Sequence, residues 1–252
     1  VGWEWLPAHA YSFGLIFARM TPIALNVPAM SETFVSVRLR VTVAFWMSVV
    51  LWSVVAPDFP PMPSSLATSL GWVMAEVVKG FFLGSLMRLW LSVLHVVASV
   101  ASNQAGLSMA SIFDPSQADQ STTIGLFMSY LATAWLLATV THHRFIVAVT
   151  HSFQWLPVGQ DWQVQSMAEA VVQTASAVMV LSLQMAAPQL IVGILLFGGA
   201  GVLSRLMPSF QIFFLMTPIQ ILISVGLLAL SSSAWLGIYV EAWTQWLEFW
   251  SP

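Results

Sequence analysis

The ionisable residues of this 252-residue chain are few, and several of them stand inside apolar stretches. Glu76 and Lys79 lie three apart, the helical spacing at which opposite charges meet and neutralise each other. On another face of the same stretch Gly84, Arg88, Ser92, His95, Ser99 and Ser102 recur at spacings of 4, 4, 3, 4 and 3, one stripe along a helix. Two compatible readings exist. Glycine and serine let helix backbones approach closely and hydroxyls bond between helices. Ionisable groups at membrane depth face a pore, a cavity or a partner subunit. Either way the stripe is expected to avoid lipid.

Catalytic chemistry finds little footing. His142, His143 and His151 resemble metal ligands only by type, because adjacent histidines leave a helix on different faces and no His-x3-His pattern accompanies them. Asp114 and Asp119 could form a carboxylate pair but have no evident base or oxyanion partner. Absence of cysteine excludes disulfides, thiolate metal sites and thiol nucleophiles. The chain is therefore expected to be no enzyme and to hold neither metal nor cofactor, so that energy for any work comes from another component.

The elements that position these residues are membrane helices. Only 7% of the residues are charged and 58% are apolar, whereas a soluble surface requires about 25% charged residues. Mean hydropathy is +0.85. Thirteen Trp, many near the ends of apolar runs, fit aromatic belts at headgroup depth. A net charge of -3 gives no basic footprint for nucleic acid. Val1 in place of Met suggests a trimmed end, and the absence of Lys or Arg before Arg19 argues against a secretory signal. Apolar runs cover residues 6–28, 41–56, 66–102, 124–140, 167–187, 189–205, 210–231 and 234–250. The second falls short of the ~20 residues that a crossing needs. Pro188 is expected to break or kink its run, and Pro218 sits inside another. Lacking barrel alternation, the runs predict an all-α multi-helix integral membrane protein.

Charge placement suggests a topology. If residues 66–102 form a re-entrant hairpin turning near Arg88, then Arg38, Arg40, Arg88, Arg144 and Arg205 share one side, as the positive-inside rule prefers. Near the end of the chain Tyr239, Trp243, Trp246 and Trp250 share a helical face, which suits either an interfacial helix or packing on the bundle. Residues 106–120 combine small residues with Leu107, Met109, Ile112 and Phe113. Such a segment is either a surface loop or a pliable plug whose apolar side chains fill a narrow lumen.

An ordered set of motifs resembles one family. The segment Asn103-Gln104-Ala105-Gly106-Leu107-Ser108-Met109-Ala110-Ser111-Ile112-Phe113-Asp114-Pro115 is followed by His142, Ser152-Phe153 and Pro157-Val158-Gly159. Leu203-Ser204-Arg205-Leu206-Met207-Pro208-Ser209-Phe210-Gln211-Ile212-Phe213 comes next, with Pro218 and Gly226 downstream. This order looks like the FliR family, the flagellar export-gate proteins of type III secretion, whose injectisome counterpart is SctT. Departures are Ser209 where the family often has Gln and Ser204 where it often has Asn.

The resemblance implies a FliP-like part over residues 1–165 and a FliQ-like hairpin over 166–252, with much of the complex above the membrane plane as steep helical hairpins. It further implies a pore-forming subunit that completes a FliP/FliQ/FliR complex in the bacterial inner membrane, at the flagellar basal body. Its partners would be FliP-like and FliQ-like subunits, FlhA, FlhB, membrane lipid and the unfolded substrates that pass. Residues Gly106 to Pro115 would be the plug, and Arg205, Pro208, Phe213 and Pro218 the C-terminal family motif. The alternatives are an injectisome version of the same gate and a small-molecule transporter with helices broken at Pro188 and Pro218, framing a midplane site.

Overall fold

The computed structural model describes residues 6–27, 30, 35–106, 127–128, 130–131, 133–134, 138–139, 141–160, 164–208 and 212–250. Six helices account for most of them: α1 (Leu6–Asn26), α2 (Val37–Val55), α3 (Leu66–Gln104), α4 (Thr141–Trp155), α5 (Val164–Leu206) and α6 (Ile212–Trp250). No strand occurs among the described residues. The expected all-α class is what the chain adopts. Four helices or helix segments, Val37–Val55, Leu66–Gln104, Val164–Leu206 and Met216–Glu248, are long and apolar enough to cross a membrane.

Several helix limits differ from those read in the sequence, each for a local reason. The helix expected over 41–56 begins earlier, because the Ser36 hydroxyl accepts the Leu39 amide and caps the first turn. Residues 66–102 do not turn back near Arg88. They belong to one unbroken 39-residue helix, which contains no proline, so a re-entrant hairpin there is excluded. Pro188 removes one amide donor yet leaves α5 continuous over 43 residues. Pro218 likewise lies within α6, which runs on for 39 residues. The broken helices required by a midplane transporter site are therefore not formed at either proline. The runs 210–231 and 234–250 are a single helix because only Ser232 and Ser233 stand between them, with no proline or glycine to stop it, and the serine hydroxyls at this point are satisfied by the helix's own carbonyls. Ser231 donates to the Leu227 carbonyl at 2.7 Å and Ser232 to that of Ala229 at 2.9 Å.

The chain divides into two compact units. The first takes residues Val1–Trp90, Val140–Thr174 and Trp243–Pro252. On α1 the residues Ile16, Met20, Ile23 and Ala24 fall on one stripe and meet Ala44, Leu51 and Val55 of α2 with Val149 and Phe153 of α4. Phe13 and Phe17 of α1 set their rings edge-on to Phe45 of α2. A hydrogen bond from Trp52 Nε1 to Ser12 Oγ at 3.1 Å fixes α2 on α1, and one from Tyr11 to the Ser69 carbonyl at 3.0 Å ties α1 to α3.

Leu91–Thr139 and Ala175–Ala242 form the second unit. Its buried residues include Leu94, Val97, Ala98 and Ala101 of α3, Val178, Leu181 and Met185 of α5, and Trp235 and Tyr239 of α6. Gln189 of α5 donates to the Ser224 carbonyl of α6 at 3.2 Å. In the first unit Trp246 of α6 donates to Thr174 of α5 at 3.3 Å.

Candidate functional site

A charge cluster is enclosed in the first unit. Arg19 of α1 and Glu76 of α3 are fully buried, and Lys79 is 3% exposed. Arg19 Nε and Nη2 both reach Glu76 Oε2 at 2.5 Å, and Lys79 Nζ donates to Glu76 Oε1 at 2.9 Å. One carboxylate therefore serves two cations. Carbonyl oxygens at the C-terminal end of α4, where the helix dipole is negative, face the remaining donors. Arg19 Nη1 donates to Ser152 O at 2.9 Å, Arg19 Nη2 to Leu156 O at 2.6 Å, and Lys79 Nζ to Pro157 O at 2.8 Å. The guanidinium also lies 3.9 Å from the centre of the Phe153 ring.

Glycines permit this closeness. A Cβ on Gly80 would overlap the Arg19 backbone, so α1 and α3 touch at that turn. Gly159 has φ +77°, a conformation suited to glycine, and a Cβ there would come 2.6 Å from the Trp72 ring. The motif residues Ser152, Phe153 and Pro157 thus have a local physical role, building the carbonyl and aromatic wall around Arg19 and Lys79, while Gly159 lets the chain pass close to the Trp72 ring. The Glu76–Lys79 pairing is as their spacing predicts. Arg19 was not legible as its third member. An arginine in an apolar run with no acid one turn away was the available signal, since such a charge must find a distant partner.

Along the stripe, burial is uneven. In the first unit Gly84 is buried, and a Cβ there would stand 2.9 Å from Asn26 Cβ and 3.1 Å from Pro22 O, so α1 packs directly on it. Arg88 is exposed. In the second unit Ser92 is half-buried, His95 and Ser99 are exposed, and Ser102 is fully buried.

Helix α3 ends at a defined stop. Gly106 takes φ +72°, and its amide donates to Asn103 O at 3.1 Å, the left-handed closure that lets a helix terminate. Gln220 Nε2 of α6 caps the Gln104 carbonyl, and the Gln104 side chain lies against Gly193 of α5. The other expected plug residues, Leu107, Ser108, Met109, Ala110, Ser111, Ile112, Phe113, Asp114 and Pro115, lie outside the described residues.

The C-terminal motif is dispersed. Arg205 is exposed in the last turn of α5, Pro208 is exposed just beyond it, and Pro218 is exposed within α6. Phe213 lies in α6, its side chain outside the described residues. On the aromatic face of α6, packing prevails over an interfacial role. Tyr239 and Trp243 are each 2% exposed, and the Trp243 ring sits 6.0 Å from that of Trp90. His151 contacts Gln154 at 3.2 Å, and no group of His, Asp and Glu able to hold a metal ion occurs among the described residues.

Comparison with known proteins places these features in a family context. Residues 10–246 match bacterial export proteins, family 1. A Caulobacter vibrioides protein named flagellar biosynthetic protein FliR is 31% identical over 240 residues, covering 95% of this chain and 96% of that one. A Bacillus subtilis protein of the same name is 24% identical, with 88% and 86% covered. Surface presentation of antigens protein SpaR of Shigella sonnei is 22% identical, with 86% and 84% covered.

Proposed function

We propose, because this chain belongs to the bacterial export proteins, family 1, that it is a pore-forming subunit of the flagellar type III protein export gate. In this reading the chain joins FliP-like and FliQ-like subunits in a helical complex of the bacterial inner membrane, at the flagellar basal body. FlhA and FlhB adjoin it, and unfolded flagellar substrates pass through. The observation that carries the reading is the match of nearly the whole chain to a protein named for flagellar biosynthesis. The outward faces of the long helices support it. Ile191, Ile194 and Leu195 of α5 and Leu222 and Leu230 of α6 are exposed at 59, 70, 69, 75 and 82%, a surface that lipid or neighbouring subunits must cover.

Mechanically, the charge cluster would hold α1, α3 and α4 as one rigid wall, while residues 106–115 close the lumen at rest. Export would displace that short segment and leave the wall unchanged. Copurification of tagged chain from membranes tests the assignment: FliP-like and FliQ-like subunits are expected to remain bound. A chain that purifies alone and takes up solute in liposomes would contradict it.

A further inference from the structure

In the first unit, a cavity of about 260 Å³ lies among α3, α4, the first turns of α5 and the last turns of α6. Its floor is apolar and buried, formed by Leu86, Met87, Val149 and Leu247. Exposed lining residues, Glu169 and Trp155 among them, mark its mouth. Polarity therefore rises from floor to mouth as it does along an amphiphile. An apolar cavity of about 150 Å³ stays dry and accepts benzene, so this larger one has room for a longer hydrocarbon. Water would gain few partners on its floor, and an empty floor would forfeit dispersion contacts.

The mouth supplies the second half of the recognition. It lies at the start of α5 and near the end of α6, both long and apolar enough to cross a membrane, and Trp155 and Trp246, whose indoles pair an apolar body with a polar N–H, line it. Glu169 is its one charged lining residue, and no Lys or Arg lines the cavity. Gln165 Nε2 donates to Glu169 Oε1 at 2.7 Å, which steadies the carboxylate, and Glu169 makes no ion pair among the described residues.

We propose that this cavity holds one acyl chain of a membrane phospholipid whose headgroup ends in an ammonium, with the ammonium on Glu169 and the tail on the Leu86–Val149–Leu247 floor. The inference concerns the chain in a bilayer and stands apart from the export role. Electrostatic selection against anionic lipid follows from the lone carboxylate. The tail adds retention without headgroup preference, since lipid tails are themselves apolar.

Native mass spectrometry of the full chain, alone and in whatever complex copurifies with it, tests the site with phosphatidylethanolamine and phosphatidylglycerol as probes. One phosphatidylethanolamine is expected per chain, retained in preference to phosphatidylglycerol. Glu169→Gln should reduce that preference by about two- to five-fold, the scale of an exposed ion pair. Ala170→Phe, which fills the cavity, should abolish retention, whereas Ala168→Phe on an exposed neighbouring position outside the lining should not. Should Ala170→Phe fail to fold, decylamine is expected to displace the lipid from unaltered protein and decanoate is not. Equal retention of both lipids, retention unaffected by filling or by decylamine, or loss of the lipid whenever partners are bound would each overturn the proposal.

Discussion

Removing the Glu76 carboxylate should be among the most damaging single changes in the first unit. Glu76→Ala leaves two buried cations, Arg19 and Lys79, without their shared counter-ion. Arg19 keeps the carbonyls of Ser152 and Leu156, and Lys79 keeps that of Pro157, so their hydrogen bonds survive in part while the charge goes uncompensated. Breaking one buried pair by deleting a partner costs about 3–5 kcal/mol. Because one carboxylate here serves two cations, the upper half of that range is expected. The loss is comparable with a third or more of a stability of ~5–15 kcal/mol. A triple replacement, Arg19→Met with Glu76→Leu and Lys79→Leu, removes all three charges together and should be milder by about 2 kcal/mol, its residual cost coming from carbonyls left without donors. Thermal unfolding of the purified complex, with hydrogen exchange over residues 141–160, reads both variants. If Glu76→Ala unfolds within about 1 kcal/mol of the unaltered protein, or the triple variant is the worse of the two, the cluster is not held by charge balance as argued.

Gly84→Leu should force α1 from α3 and lower complex yield and export, at a cost of about 1–3 kcal/mol for overpacking; normal yield with unchanged motility would show that the contact with Pro22 and Asn26 can yield. Glu248→Gln removes a pair with Arg144 whose side chains are 62% and 49% exposed, so unfolding should shift by less than ~1 kcal/mol, and a larger shift would mean that this pair is enclosed in the assembly. Deleting residues 108–116 should leave the complex assembled but make membranes leak small ions; a deleted complex that assembles and conducts no more than the intact one would remove the plug role from this segment.

Much of the architecture was legible because apolar runs separated by prolines and charges are read directly as membrane helices. Where the reading erred, a local rule met a side chain that satisfied it differently. Ser232 and Ser233 looked like a gap between spans, but no proline or glycine stands there, the Ser232 hydroxyl bonds to the preceding turn, and α6 continues. Arg88 suggested a hairpin by charge counting, yet nothing in residues 81–104 breaks a helix. The charge cluster was half legible: Glu76 and Lys79 announce themselves by spacing, whereas Arg19 lies 57 residues from Glu76, and no periodicity links them. The wall that completes the cluster is made of backbone carbonyls, which any residue supplies, so only the fold identifies Ser152, Leu156 and Pro157 as its parts.

The central claim is membership of a multi-subunit gate, and an image of the complex purified through a tag on this chain tests it most directly. The account predicts a closed helical assembly in which one copy of this chain stands beside FliP-like and FliQ-like subunits around a single axial lumen. Particles containing this chain alone, with no second protein and no common lumen, would contradict it.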